Sequence, residues 1–495
     1  MKQTSLSNQA LILIAGKISA FTFSFFVPIA LVRLYSQEQY GLFQQVLLIF
    51  NTFFAVLQLG MVNSLLYFYP RDIEKRQALL SQTLFFLLAA GTLFGISLFF
   101  FQNLIADYFN NPQIGPLLPL LGIYLLLMLV SSFLEILFIV EENALKASLL
   151  TFFTGFFRFC FLIGASLILR DVFVLLSALT GIAVLRVAIL IFYLSKNYKL
   201  SFGNFSRSYF FTQLKYSLPF GLAGIFVILT TTIDKYFISY FYDSKIYAIY
   251  AIGCFQVPIV ALIFDPVIHI ILPKISKLHQ ESDIPQMHSL WQKAASKLSL
   301  IGFPLLVLFL ILANQIVVFL FTENYQDSVP ILMIYLLLLP RQMTNYGVIL
   351  RAYGETKYIS KTCFASLAVA AALMFPSIKA FGITGPPMVV VFSLYLTAYL
   401  QLSKTKKLLK VTWLKLLPWN DFLRNFTAAA LIGLIVYFAI LSISLSPLLS
   451  ILLSSLLFFA IYITVAYRYQ LLADNDKKII ADFLSKAWIK LSPSS

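Results

Sequence analysis

Acidic residues are scarce: 20 Asp and Glu in 495 residues, with only 11% of the chain charged in either sign. A soluble domain carries about 25% charge. With 60% apolar residues, 50 Phe and 26 Tyr, the chain has more apolar surface than a water-bathed globule can hide. A soluble enzyme and a disordered scaffold are therefore excluded. Cysteine is nearly missing. Cys160, Cys254 and Cys363 all lie in apolar runs, which excludes a disulfide framework and metal-ligand spacing and predicts buried thiols. Also absent are a phosphate-cradling glycine loop, a metal-ligand cluster and paired carboxylates on a loop, so no cofactor, metal or catalytic constellation is expected. No loop is long enough for a folded basic domain, and the net charge of +16 is not a nucleic-acid signal.

Long apolar runs are what the chain has in abundance. A bilayer core needs about 20 apolar residues per helix. Windows of that size fall near 10–34, 41–68, 78–101, 116–140, 147–169, 172–194, 213–241, 246–272, 298–321, 329–350, 358–375, 382–403, 422–442 and 448–467. The fold class is all-α, a polytopic membrane protein of about fourteen spans. Continuous runs, with no ten-residue alternation, exclude a barrel. Alternating the loops from an external first loop puts 27 Lys and Arg on the cytoplasmic side and 3 outside (Arg170, Lys245, Lys379). That bias predicts cytoplasmic N and C termini in the inner (plasma) membrane, and it accounts for most of the net charge. The first run is too long for a cleavable signal and carries Lys17, so it reads as a retained helix.

The stretch 273–297, with Trp291, and the basic stretch 404–420, with Trp413 and Trp419, each predict an amphipathic helix on the inner membrane face. The halves resemble each other. RLYSQEQYGLF (33–43) and YFYDSKIYAIY (240–250) put Tyr40 on Tyr247, and the next spans end in Pro70–Arg71 and Pro273–Lys274, offsets of 207 and 203. A repeat of six spans predicts an N-terminal lobe at 1–203, a C-terminal lobe at 204–410, and spans thirteen and fourteen with the tail at 411–495.

Polar residues inside spans are candidates for function, since embedding charge is costly. The cations are Lys17, Arg33, Arg158, Arg186, Lys235 and Arg341; the acids are Glu135, Asp234 and Asp265. This excess favours an anionic cargo. Gln44, Asn51 and Gln58 recur every seven residues and share one face of span two, open to sugar hydroxyls or to a neighbouring helix. Asp234 and Lys235 point about 100° apart on a helix, so Asp234 is expected either to pair with a cation on span one or eight or to sit at the external interface. Asp265 and His269, four apart, stack on one face and fit either proton coupling or a helix-end pair. Arg341 follows Pro340, which suits a bend. Arg158 and Arg186 are expected to pair with Glu135 or Glu141, and His279 and His288 read as surface residues.

Tyr40–Gly41, Asp234–Lys235, Ala352-Tyr353-Gly354-Glu355-Thr356-Lys357 and Phe381-Gly382-Ile383-Thr384-Gly385, in that order, resemble the oligosaccharide and polysaccharide flippases of the multidrug/oligosaccharidyl-lipid/polysaccharide exporter superfamily. Pro386–Pro387 departs from the pattern and predicts a kink at the start of span twelve. The resemblance implies two lobes in alternating access, carrying a polyprenyl-pyrophosphate-linked oligosaccharide from the cytoplasmic to the outer leaflet. It further implies a cationic residue in span one, here Lys17, with Gln44, Asn51, Gln58, Lys235 and Arg341 toward the substrate. Asp234, Asp265, His269 and Glu135 would serve coupling or charge pairing. Partners would be the lipid-linked oligosaccharide, membrane lipids, and a polysaccharide polymerase and glycosyltransferases, around a monomer. The alternative is a drug or cation antiporter of the same superfamily, which would want embedded acids. A membrane glycosyltransferase or polymerase would want a long catalytic loop.

Overall fold

The computed structural model describes residues 6–198, 205–255, 258–441 and 445–469; certain side chains within them, Asp265 and His269 included, lie outside the described residues. Among the described residues every regular element is a helix. Eleven stretches are long and apolar enough to cross a bilayer. One of them, Thr356–Leu409, is an antiparallel pair, Thr356–Phe381 and Gly385–Leu409, joined through Gly382 at φ 57°. Two further spans are broken into shorter pieces. Span eight is Ser244–Gly253 and Pro258–Gln280; span ten is Val329–Leu336, Leu339–Met343 and Val348–Ala352. With these, all fourteen spans are accounted for, and the chain is a multi-pass membrane protein.

Two compact units divide the chain. Unit 1 comprises Met1–Leu262, Leu320–Tyr335 and Gly354–Gln401; unit 2 comprises Ile263–Phe319, Leu336–Tyr353 and Leu402–Ser495. In unit 1 the helices meet where side chains are smallest. A Cβ on Gly16 would lie 2.2 Å from Ser148 Oγ, one on Gly155 2.8 Å from Ala20 Cα, and one on Gly122 2.9 Å from Gly95 Cα. Lipid offers no hydrophobic drive between helices, so association depends on this close packing and on buried hydrogen bonds. The latter are present too. Gln82 Nε2 donates to Gln213 Oε1 at 2.6 Å, and Gln213 Nε2 donates to Ser64 Oγ at 2.8 Å and Thr83 Oγ1 at 2.9 Å. All four are buried, so spans two, three and seven are tied by a polar ladder inside an apolar core.

Unit 2 corrects the reading of 273–297. Instead of one helix on the membrane surface, the segment is the tip of a helical hairpin. Pro258–Gln280 runs up to a turn at Ser282 (φ 59°), and Asp283 caps Ile284–Ile311, which continues as span nine. Trp291 and Met287 are fully buried there. Trp291 Nε1 donates to Thr344 O at 2.8 Å, while His288 Nε2 lies 3.0 Å from Leu416 O and the His279 ring 4.0 Å from that of Tyr353. The two histidines are therefore contact residues, not bare surface. Trp291→Phe keeps the bulk but leaves a buried carbonyl without its donor. A loss of about 1–3 kcal/mol is expected, read as a lower Tm of the purified protein; an unchanged Tm would show that the hairpin tip adds no stability.

Three smaller expectations fail. The stretch 404–420 is the end of Gly385–Leu409, a reversal at Lys410 (φ 55°) and the single turn Trp413–Leu416. Pro386 and Pro387 occupy the first turn of Gly385–Leu409, where proline removes no intrahelical bond, so they do not kink the span. Of the three thiols only Cys363 is buried; Cys254 is intermediate and Cys160 is exposed on the same helix as the exposed Phe153, Phe156, Phe157 and Phe161. An apolar sequence run cannot separate lipid-facing from core-facing positions.

Candidate functional site

Unit 1 buries one carboxylate deep in its core. Asp234, in Arg207–Phe241, is 0% exposed. Its Oδ2 accepts a hydrogen bond from Tyr250 at 2.5 Å and another from Tyr335. Lys235 Nζ lies 3.7 Å from Oδ1, donates to Thr231 O at 3.0 Å and sits 5.7 Å from the centre of the Tyr335 ring. No cation from span one or eight meets Asp234 among the described residues; two tyrosine hydroxyls, from spans eight and ten, hold it instead. The 100° separation of adjacent residues did not keep Lys235 away, because a four-carbon stem is long enough to fold back.

The face of span two runs through Gln37–Leu57. Gln44 is half-buried and donates to Tyr40 Oη at 2.8 Å, Asn51 is exposed, and Gln58 is the C-terminal cap of the helix. Just past Gln58 the span breaks, at Leu59 (φ 44°) and Gly60 (φ 74°), before resuming as Met61–Arg71. A Cβ on Gly221 of span seven would come within 2.5 Å of Leu59 C and O, so the break lies directly on a glycine. One position from Gln44, Gln45 is fully buried; it accepts from Asn111 Nδ2 at 3.1 Å and donates to Ser239 Oγ at 3.5 Å.

Lys17 is exposed in Leu6–Leu34 and has no hydrogen-bond or ion-pair partner among the described residues. Its neighbour Gly16 packs against Ser148 and so marks the side of the helix facing span five; Lys17 points about 100° away from that side. Arg33 Nη1 donates to Ile29 O at 2.7 Å and to Leu320 O. Arg186 donates to Thr154 Oγ1 at 3.3 Å and lies within the electrostatic reach of Glu135, but neither Arg186 nor Arg158 forms an ion pair within 4.0 Å among the described residues. Glu141 is taken by the hydroxyls of Tyr193 and Tyr198, not by an arginine. In unit 2, Arg341 lies in the short Leu339–Met343, whose first turn holds Pro340, as the bend reading expected. Its Nη1 donates to Tyr346 Oη, while its Nε and the Nδ2 of Asn345 (φ 45°) are buried without a partner. The structure thus brings Asp234 and Lys235 together, and it leaves Lys17 and Arg341 in different units with donors unused. Tyr250, Tyr335 and Gln45 were not singled out from sequence. Among the described residues no group of three His, Cys, Asp or Glu could hold a metal ion.

A family model described as "Polysaccharide biosynthesis protein" matches residues 30–330, more than half the chain. No curated protein matches the chain by sequence. Among solved structures, "Lipid II flippase MurJ, inward closed conformation" superposes with a TM-score of 0.74 at 15% identity, over 93% of this chain and 99% of that one. A MOP superfamily transporter from Pyrococcus furiosus gives 0.60 at 14% identity, over 81% and 94%. A MATE transporter from Vibrio cholerae gives 0.57 at 12% identity, over 83% and 97%. At such identities the likeness carries the fold.

Proposed function

The chain belongs to the polysaccharide biosynthesis protein family, and on that premise we propose that it is a transporter that moves a polyprenyl-pyrophosphate-linked oligosaccharide from the cytoplasmic to the outer leaflet by alternating access. The observation that carries this is the imbalance in embedded donors. The carboxylate buried among the described residues, Asp234, is already held by Tyr250, Tyr335 and Lys235, whereas Lys17 has no partner among those residues and Arg341 Nε is buried and unpaired. Unpaired cations in a low-dielectric interior suit a pyrophosphate.

In this reading Lys17, Lys235 and Arg341 contact the phosphates and the amides of Gln44, Asn51 and Gln58 meet the sugar. The lobes are 1–203 and 204–410, with spans thirteen and fourteen at 411–495 as an addition. The protein works as a monomer in the inner membrane, with cytoplasmic termini, beside a polymerase and glycosyltransferases. It carries cargo and does no covalent chemistry. The test is reconstitution. Proteoliposomes loaded in one leaflet with a fluorescent polyprenyl-pyrophosphate disaccharide should exchange it across the bilayer, while protein-free vesicles should not. Uptake of a cationic dye with the lipid left in place would overturn this reading in favour of a cation antiporter.

A further inference from the structure

Asp234 holds the ends of two broken spans. Tyr250 lies one turn from the end of Ser244–Gly253, and Tyr335 is the penultimate residue of Val329–Leu336. Both donate to the same oxygen, Oδ2. Span eight breaks just past Gly253 and span ten just past Leu336, and the chain passes out of unit 1 after Leu262 and after Tyr335. A single buried carboxylate on span seven therefore fastens the helix ends that precede two of the chain's three exits from this unit.

The other oxygen is held loosely. Oδ1 is buried and has no hydrogen-bond partner; Lys235 Nζ, at 3.7 Å, is beyond the usual 2.7–3.2 Å of an N–H···O bond. The Lys235 ammonium has three donors, of which one goes to Thr231 O. Its side chain is 22% exposed, against 0% for Asp234. Lys235 therefore neutralises the carboxylate from a distance, with donors unused and a route outward. A buried charge is tolerated only while its counter-charge stays.

We propose that Lys235 is the trigger of this latch. A phosphate group that draws the ammonium outward leaves Asp234 as an unpaired buried charge that only entering water can then solvate; that water competes for Oδ2, and the ends held by Tyr250 and Tyr335 loosen. The trigger rests on the cargo being a phosphate, as proposed above; the latch does not.

Cys254, the first residue past Ser244–Gly253, is half-buried within reach of both tyrosine hydroxyls and is a natural reporter. With Cys160→Ser and Cys363→Ser it becomes the only thiol of the chain. Its alkylation by N-ethylmaleimide is timed by mass spectrometry, with and without inorganic pyrophosphate, on the full-length protein in proteoliposomes. Pyrophosphate should raise the rate several-fold. In Lys235→Gln the rate should not respond to pyrophosphate. Tyr335→Phe, which keeps the ring and loses the hydroxyl, and Asp234→Asn should both label faster than the parent without pyrophosphate. Calorimetry on the same preparation separates the failures. No pyrophosphate binding overturns both the phosphate reading and the trigger; binding with an unchanged rate overturns the trigger alone. An undiminished response in Lys235→Gln also overturns the trigger. Labelling of Tyr335→Phe at the parental rate overturns the latch.

Discussion

Lys17→Ala should lower glycan export by roughly 10- to 150-fold, while the protein's level and its insertion stay as they were. The size follows from one charge-assisted contact of about 1.5–3 kcal/mol, at 1.36 kcal/mol per decade. Insertion should not suffer, because an embedded lysine opposes it and alanine does not. The structure also argues against a packing role. The side of Leu6–Leu34 that touches span five is marked by Gly16 and Ala20, which meet Ser148 and Gly155. Lys17 lies off that side, exposed and without a partner among the described residues, so its removal leaves no cavity. Lys17→Arg should keep part of the activity, since charge remains while reach and geometry change; Lys17→Gln separates hydrogen bonding from charge. The measurement is surface polysaccharide in a strain lacking the native copy, together with lipid-linked intermediate on the inner leaflet. Full export by Lys17→Ala would end the anion-contact role of this lysine without touching the fold. Loss of export together with loss of the protein would make it a structural lysine.

The fourteen spans could be read from sequence because a bilayer imposes one length on every crossing. Their interruptions could not. The stretch 246–272 is apolar but for Gln256, Asp265 and His269, yet the span breaks after Gly253, and in the run up to Cys254 only that glycine hints at the site. In span ten Pro340 did mark the bend, because proline is tolerated in the first turn of a new helical segment but not inside a continuous helix. The site shows the same division. Asp234 and Lys235 stand out as charges in an apolar run, but Tyr250 and Tyr335 look like any of 26 tyrosines. Only packing brings hydroxyls 16 and 101 residues away in sequence to the same oxygen. The stretch 273–297 misled for a related reason. A hairpin tip and a surface helix both mix Lys, His, Gln and Leu, and the buried Trp291 that separates them takes its partner from another segment, at Thr344.

Gly41→Ala should cost unit 1 its fold, whereas Gly181→Ala should not. Gly41 stands at the start of Gln37–Leu57, and a Cβ there would lie 1.8 Å from Ser244 O and 2.6 Å from Ser244 C. Both obstacles are backbone, so no rotamer change relieves the overlap; the start of span eight would have to move bodily. Ser244 follows Asp243, whose side chain accepts from Ile246 N at 2.8 Å and fixes that turn. Three residues on, Tyr247 is 2% exposed, and Tyr40 beside Gly41 is 3% exposed. A shift there would disturb both buried tyrosines and, through Ser244–Gly253, the hydroxyl of Tyr250 on Asp234. Overpacking costs about 1–3 kcal/mol where side chains can adjust, and a rigid backbone obstacle puts Gly41→Ala at or above the top of that range. A Cβ on Gly181, inside Val172–Asn197, would meet nothing within 4 Å. There alanine should be neutral or stabilise by about 0.5–1 kcal/mol, through the helix preference of alanine over glycine. The check is the yield of monodisperse protein after size-exclusion chromatography and its Tm. Gly41→Ala should fall sharply in both while Gly181→Ala holds. Wild-type yield and Tm for Gly41→Ala would mean that spans two and eight do not approach this closely in the membrane, and Tyr40 would then need another reason for its burial.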